Sequence, residues 1–164
     1  QWTTVTLKPG GHFKYTAVVG GFEVWFTYDL VDAGSGRLEI VVRGRVAGED
    51  FSRSVIVAPD AVAASLKDVT DPLTEFVMLP LAPTPYSVIL KAHDLQVGSK
   101  VDVGDVTVEI TGTAVYAGIR GYTGYVKLKK EGEVLTFCSA PNCPFTLYTK
   151  FKLGEFTLVE ASGY

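Results

Sequence analysis

The chain has 164 residues, of which 47% are apolar and 20% charged, and its formal net charge is −3. That length fits one domain able to bury a sizeable core, and the composition excludes wholesale disorder. The acidic balance speaks against a nucleic-acid partner, whose binding draws on a basic surplus, and no apolar run approaches the ~20 residues that cross a bilayer as a helix.

Taken from the start, Gln1-Trp2-Thr3-Thr4-Val5-Thr6-Leu7 reads as a strand with no turn before it. Lys8-Pro9-Gly10-Gly11 then breaks it from the remainder of the chain. A first residue that is Gln rather than Met fits removal of a leader, so export to the cell surface is expected. From there the period is two nearly everywhere. Phe22, Val24, Phe26, Tyr28 and Leu30 alternate with Glu23, Trp25, Thr27 and Asp29, and Val106, Val108 and Ile110 alternate with Thr107, Glu109 and Thr111. Successive strand side chains point to opposite faces, so such segments are strands with one buried face. Strands are predicted near 2–7, 13–19, 22–31, 37–46, 51–58, 86–92, 105–117, 121–130, 133–138, 145–153 and 155–161, with Gly20-Gly21 placed as a two-residue hairpin turn. The Ala-rich stretch 60–67 predicts a short helical turn, and Pro72, Pro80, Pro83 and Pro85 after it predict an irregular crossover. Many short strands separated by turns give an all-β expectation: a β-sandwich of jelly-roll type with at most one short helix, as one domain over 1–164.

Cys138 and Cys143 flank Ser-Ala-Pro-Asn, a turn-favouring spacer, and are expected to form a disulfide that pins a loop. Two thiolates without nearby His or Cys do not complete a tetrahedral metal site, and the spacing is not that of a redox Cys-x-x-Cys. Asn142 is the sole Asn, Gln1 and Gln96 the sole Gln and Met78 the sole Met, a depletion of thermolabile side chains that points to a hyperthermophile.

Candidate chemistry is sparse. His12 and His93 lie in no triad or nucleophile-elbow pattern, so no catalytic residue is assigned and no cofactor is expected. Asp94, Asp102 and Asp105, with Asp68 and Asp71, could converge on calcium, but turn-forming aspartates are the commoner meaning of such spacing, and no metal is assigned. Lys127, Lys129, Lys150 and Lys152 read either as a patch meeting an acidic neighbour or as a solvated face that discourages edge pairing. Trp25, Tyr116, Tyr122, Tyr125 and Tyr148 read either as a binding platform, for carbohydrate among other ligands, or as edge packing. The leading strand is the most informative feature. It can pair within its own domain, or it can add to a neighbour's sheet and so drive polymerisation.

The leading strand, the Leu7-Lys8-Pro9-Gly10 break and the jelly-roll-like alternation resemble the secreted subunits of archaeal bundling pili, which are similar to the TasA biofilm-fibre family. The resemblance implies an extracellular filament for adhesion or biofilm, built from this chain alone. Residues 1–8 would be the donor strand, with Trp2, Val5 and Leu7 filling a groove in the next subunit and filaments bundling side by side. It implies no catalytic residues. The alternative expectation is a secreted module that binds carbohydrate or another surface ligand.

Overall fold

The computed structural model describes residues 7–60, 65–66, 69–78, 80, 96–141, 143, 145–152 and 154–164. Its strands are β1 (His12–Val19), β2 (Phe22–Gly34), β3 (Arg37–Val46), β4 (Glu49–Val57), β5 (Lys100–Val103), β6 (Val106–Tyr116), β7 (Ile119–Leu128), β8 (Gly132–Ser139), β9 (Tyr148–Phe151) and β10 (Gly154–Ser162). A short helix, α1 (Pro72–Val77), lies between β4 and β5. The all-β expectation holds. All ten strands join one antiparallel ladder in the order β4-β3-β2-β1-β10-β9-β8-β7-β6-β5. Apart from β4 and β5, which lie at the two ends, the strands pair with their sequence neighbours, and β1 pairs with β10.

The alternating pattern produces the core directly. Phe13, Tyr15 and Ala17 of β1, Val24, Phe26, Tyr28 and Leu30 of β2, and Leu38, Ile40 and Val42 of β3 are all buried, while the residues between them are more exposed. Their rings interlock. Tyr15 stacks on Phe26 at 5.6 Å, Tyr28 on Phe145 at 5.3 Å, and Phe26 meets Phe156 of β10 edge-on at 6.1 Å. Val108, Ile110, Val126 and Phe137 form a second, smaller cluster across β6, β7 and β8.

Four hairpins use the same two-residue turn. Gly20-Gly21, Ser35-Gly36, Ala47-Gly48 and Ala117-Gly118 all have φ between +50° and +83°, the left-handed pair of a type I′ turn whose twist suits the flanking strands. Gly44 is needed for a different reason: a Cβ there would run into the Trp25 carbonyl oxygen and stand 2.8 Å from Phe26 Cα, both on the paired strand.

The helix was hidden by its proline, Pro72. Asp71 is its N-cap and accepts from the Thr74 N–H at 3.2 Å, and Pro72 fits the first turn, where its missing N–H costs nothing. Phe76 packs on Phe156 at 5.3 Å, and the buried Tyr28 hydroxyl donates to the Val77 carbonyl at the helix end. Ser65 and Leu66, in the expected Ala-rich turn, are helical. The strand expected at 86–92 lies outside the described residues, and β5 was not foreseen.

Three substitutions test this packing. Gly44→Ala should lower stability by about 1–3 kcal/mol in denaturant melts through overpacking against backbone, and Gly112→Ala, whose Cβ would meet only Thr123 Oγ1 at 3.3 Å, should cost clearly less. Tyr28→Phe should cost about 1 kcal/mol, the worth of one buried hydrogen bond, with little change in the far-UV spectrum.

Candidate functional site

The leading segment is the first point of interest. Leu7 is 6% exposed and belongs to this chain's own core, while Lys8 and Pro9 are exposed. Gly10 takes φ +92°, its N–H donates to the Leu30 carbonyl at 2.9 Å, and the Leu30 N–H donates to the Gly11 carbonyl at 2.9 Å. The chain is therefore fastened at Leu7 and again beside the end of β2. Trp2 and Val5 lie outside the described residues.

The second feature is the pair of sheet edges, β4 and β5. Among the described residues each has a ladder partner on one side only. β5 is four residues long and carries Lys100 and Asp102, features that blunt an edge. β4 has nine residues, contains no Pro or Lys, and pairs with β3 from Leu38↔Val57 to Val46↔Glu49 without a bulge. Its core-facing row is Val57, Val55, Arg53 and Phe51, opposite Leu38, Ile40, Val42 and Gly44. Leu38, Ile40 and Val42 are at most 2% exposed, whereas Val55 and Phe51 are only half-buried.

Arg53 interrupts that row with a charge. Its Nε donates to Asp71 Oδ2 at 2.9 Å, and another of its guanidinium nitrogens donates to the Ser52 carbonyl at 2.9 Å. The same Asp71 oxygen accepts from the Thr74 hydroxyl at 2.6 Å, so one carboxylate caps α1 and ties it to the edge strand. Thr74 first, and Arg53 next, hold the Asp71 carboxyl down at about 2. Neither Arg53 nor Asp71 was singled out as a pair in the sequence. The signal was present in part, since Asp71-Pro72 is a helix-start pattern and Arg53 falls in phase with the apolar residues of its strand.

The remaining candidates separate. His12 Nδ1 lies 2.6 Å from Asp29 Oδ1, and Nε2 lies 3.9 Å from Glu160, both across neighbouring strands on the outer face. His93, Asp68 and Asp94 lie outside the described residues. Asp102 accepts from the Thr107 hydroxyl, and Asp105 sits exposed in a turn where its carbonyl accepts from the Lys129 N–H at 2.9 Å. No group of three or more His, Cys, Asp or Glu side chains is placed to hold a metal ion among the described residues.

The lysines sit on different elements. Lys127 lies over the Tyr125 ring at 4.8 Å, and Lys150 is opposite Glu155. Lys129 and Lys152 sit at exposed turns. The aromatics divide likewise. Tyr116 and Tyr148 stack at 5.4 Å and 8° against the main core, Tyr122 packs on the second cluster, and the Tyr125 hydroxyl donates to the Glu109 carboxylate. Trp25 stands apart at 41% exposure on the outer face, with Lys14 Nζ 5.4 Å from its ring.

Cys138 and Cys143 are free thiols, both buried, and the Cys143 N–H donates to the Ala140 carbonyl at 3.3 Å. Burial pushes each thiol up to about 11. Burial, with the Glu155 carboxylate, pushes Tyr148 up to about 12.

No family model, no curated protein and no solved structure matches the chain. Among the described residues, no helix is long and apolar enough to cross a membrane.

Opposite pH dependences arise from these groups. A raised thiol or phenol keeps its proton in the folded chain after the unfolded chain has lost it. The stabilisation is therefore complete below pH 9 and lost as pH rises through about 11 for the thiols. Melting of the reduced protein should show this fall, Cys138→Ala should lessen it, and replacing Cys143 as well should lessen it further. The lowered Asp71 carboxyl works the other way, its contribution being present above pH 3.8 and lost as pH falls through about 2. Asp71→Asn keeps a capping side chain but not the charge, so it should remove that acid-side loss.

Proposed function

We propose that the chain is a structural subunit of an extracellular filament or pilus, polymerising by N-terminal strand addition to the neighbouring subunit, for adhesion or biofilm. One observation carries the reading: a nine-residue sheet edge has no ladder partner on its outer side among the described residues, in a chain whose buried Leu7 is preceded by six uncharged residues of strand pattern. Unpaired edge N–H and C=O groups are a template for another strand, and pairing them relieves the cost of leaving them open. Leu7, held in its own subunit, then serves as the anchor from which the segment departs.

The proposal extends to export, to bundling of neighbouring filaments and to a Cys138–Cys143 disulfide formed once the chain meets an oxidising compartment. It assigns no catalytic role. It also includes the jelly-roll form of the sandwich, supported by bulges in the β1–β10 and β6–β7 ladders and by the approach of β6 to β10. A second reading, a secreted module binding carbohydrate or another surface ligand, draws on Trp25, an exposed ring beside Lys14 and Arg45 on a sheet face.

Electron microscopy of the concentrated protein decides between them. Long uniform fibres are expected, and deletion of residues 1–6 should abolish them while leaving the thermal melt in place, because Leu7 is retained. A particle that stays monomeric at all concentrations, with a melting temperature raised by an oligosaccharide and no longer raised in Trp25→Ala, would replace the filament reading with the second.

A further inference from the structure

The geometry points to the outer edge of β4, over Phe51–Ile56, as the surface that receives residues 1–6 of a second copy of this chain. The inference rests on the filament reading and names its partner surface.

The two edges differ in how they are protected. Natural sheets blunt an edge by shortness, by Lys or Pro, by a bulge or by an inward-pointing charge. β5 has the first two of these, being four residues long with Lys100 at its start. β4 has only the last, Arg53, and its nine residues run in unbroken register along β3. Exposure also rises toward β4 on the core face. Ile40 and Val42 of β3 are 0% exposed, yet Val55 and Phe51 of β4, packed on the same core, are left half-buried. One more strand beyond β4 would complete their cover, as β3 and β4 complete that of the strand before them. The alternate residues Ser52 and Ser54 are exposed, small and uncharged, so they do not repel an approaching strand.

The incoming segment fits in length and chemistry. Gln1-Trp2-Thr3-Thr4-Val5-Thr6 contains no charge, no Gly and no Pro, and half of it is Thr. Six extended residues span roughly 20 Å, the same reach as Phe51–Ile56. An uncharged strand can lie along a row that already holds one cation, Arg53, because that cation has its own partner in Asp71. An acidic segment would compete for Arg53, and a basic one would be repelled by it.

Cysteine cross-linking in the full chain tests this. Ser54→Cys and Thr3→Cys are made in separate chains, with Val103→Cys on β5 as the comparison, and mixed pairs are assembled and oxidised. Only contacts between copies can join the two variants. A cross-linked dimer with Ser54→Cys and none with Val103→Cys is the expected result. Cross-linking with Val103→Cys alone, or fibres that cross-link with neither, would overturn the inference and leave the filament reading standing. Joining of positions 3 and 54 within one doubly substituted chain at high dilution would also overturn it. Absence of fibres would remove both.

Discussion

The pairing of β1 with β10 is the interaction on which the rest of the sheet depends. Every other step of the ladder joins strands that are neighbours in sequence, and this one joins His12–Val19 to Gly154–Ser162. Without it the strands fall into two meanders, β1–β4 and β5–β10. The hairpins with two-residue turns need only local contacts, whereas this seam must close most of the chain into a loop before any of its bonds form. The core is arranged to reward that closure. Phe156 of β10 meets Phe26 of β2, and Phe145 meets both Phe13 and Tyr28, so side chains from the far end of the sequence complete a cluster begun at its start.

The seam also decides where the sheet remains open. In a meander whose first and last strands do not pair, those two strands are the edges. Once β1 and β10 are joined, the edges among the described residues move to the middle of the chain, to β4 and β5, on either side of the segment that carries α1. That segment is tied back to the β4 edge by Asp71, which caps the helix and holds Arg53. The helix therefore covers the core through Phe76 and Val77 while its N-cap, Asp71, sets the position of Arg53 on the inner row of the edge.

Much of the strand content was legible because burial on one face writes itself into a period of two. The segments around Phe26, Ile40 and Val108 were bounded closely for this reason. β5 was missed because four residues, Lys-Val-Asp-Val, carry too little alternation to stand out beside a turn. The helix was missed because proline was weighed as a breaker, when behind an N-cap aspartate it is a starter. Strand order was not legible at all, since period two fixes the face a side chain occupies and not the strand beside it. The site was less legible than the fold. Arg53 and Asp71 are 18 residues apart, and only the placement of α1 brings them to 2.9 Å. Tyr116 and Tyr148 looked like platform residues because nothing in sequence shows that two strands will stack their rings.

Energy balance explains why the identity of the leading residues matters to the proposed strand addition. Ordering the backbone of six residues costs roughly 1–2 kcal/mol each, and a backbone hydrogen bond returns about 0.5–1.5 kcal/mol net. Hydrogen bonding along the edge therefore does no better than offset the ordering. The surplus must come from apolar area, and in Gln1–Thr6 that area is concentrated in Trp2 and Val5. A buried Trp removes about 150–250 Å² from water, worth roughly 4–6 kcal/mol at about 25 cal/mol per Å². On this arithmetic backbone pairing sets the direction and register of the incoming strand, and Trp2 sets whether it stays. The half-buried Val55 and Phe51 on the inner row of β4 are the apolar surface against which such a contribution would be made.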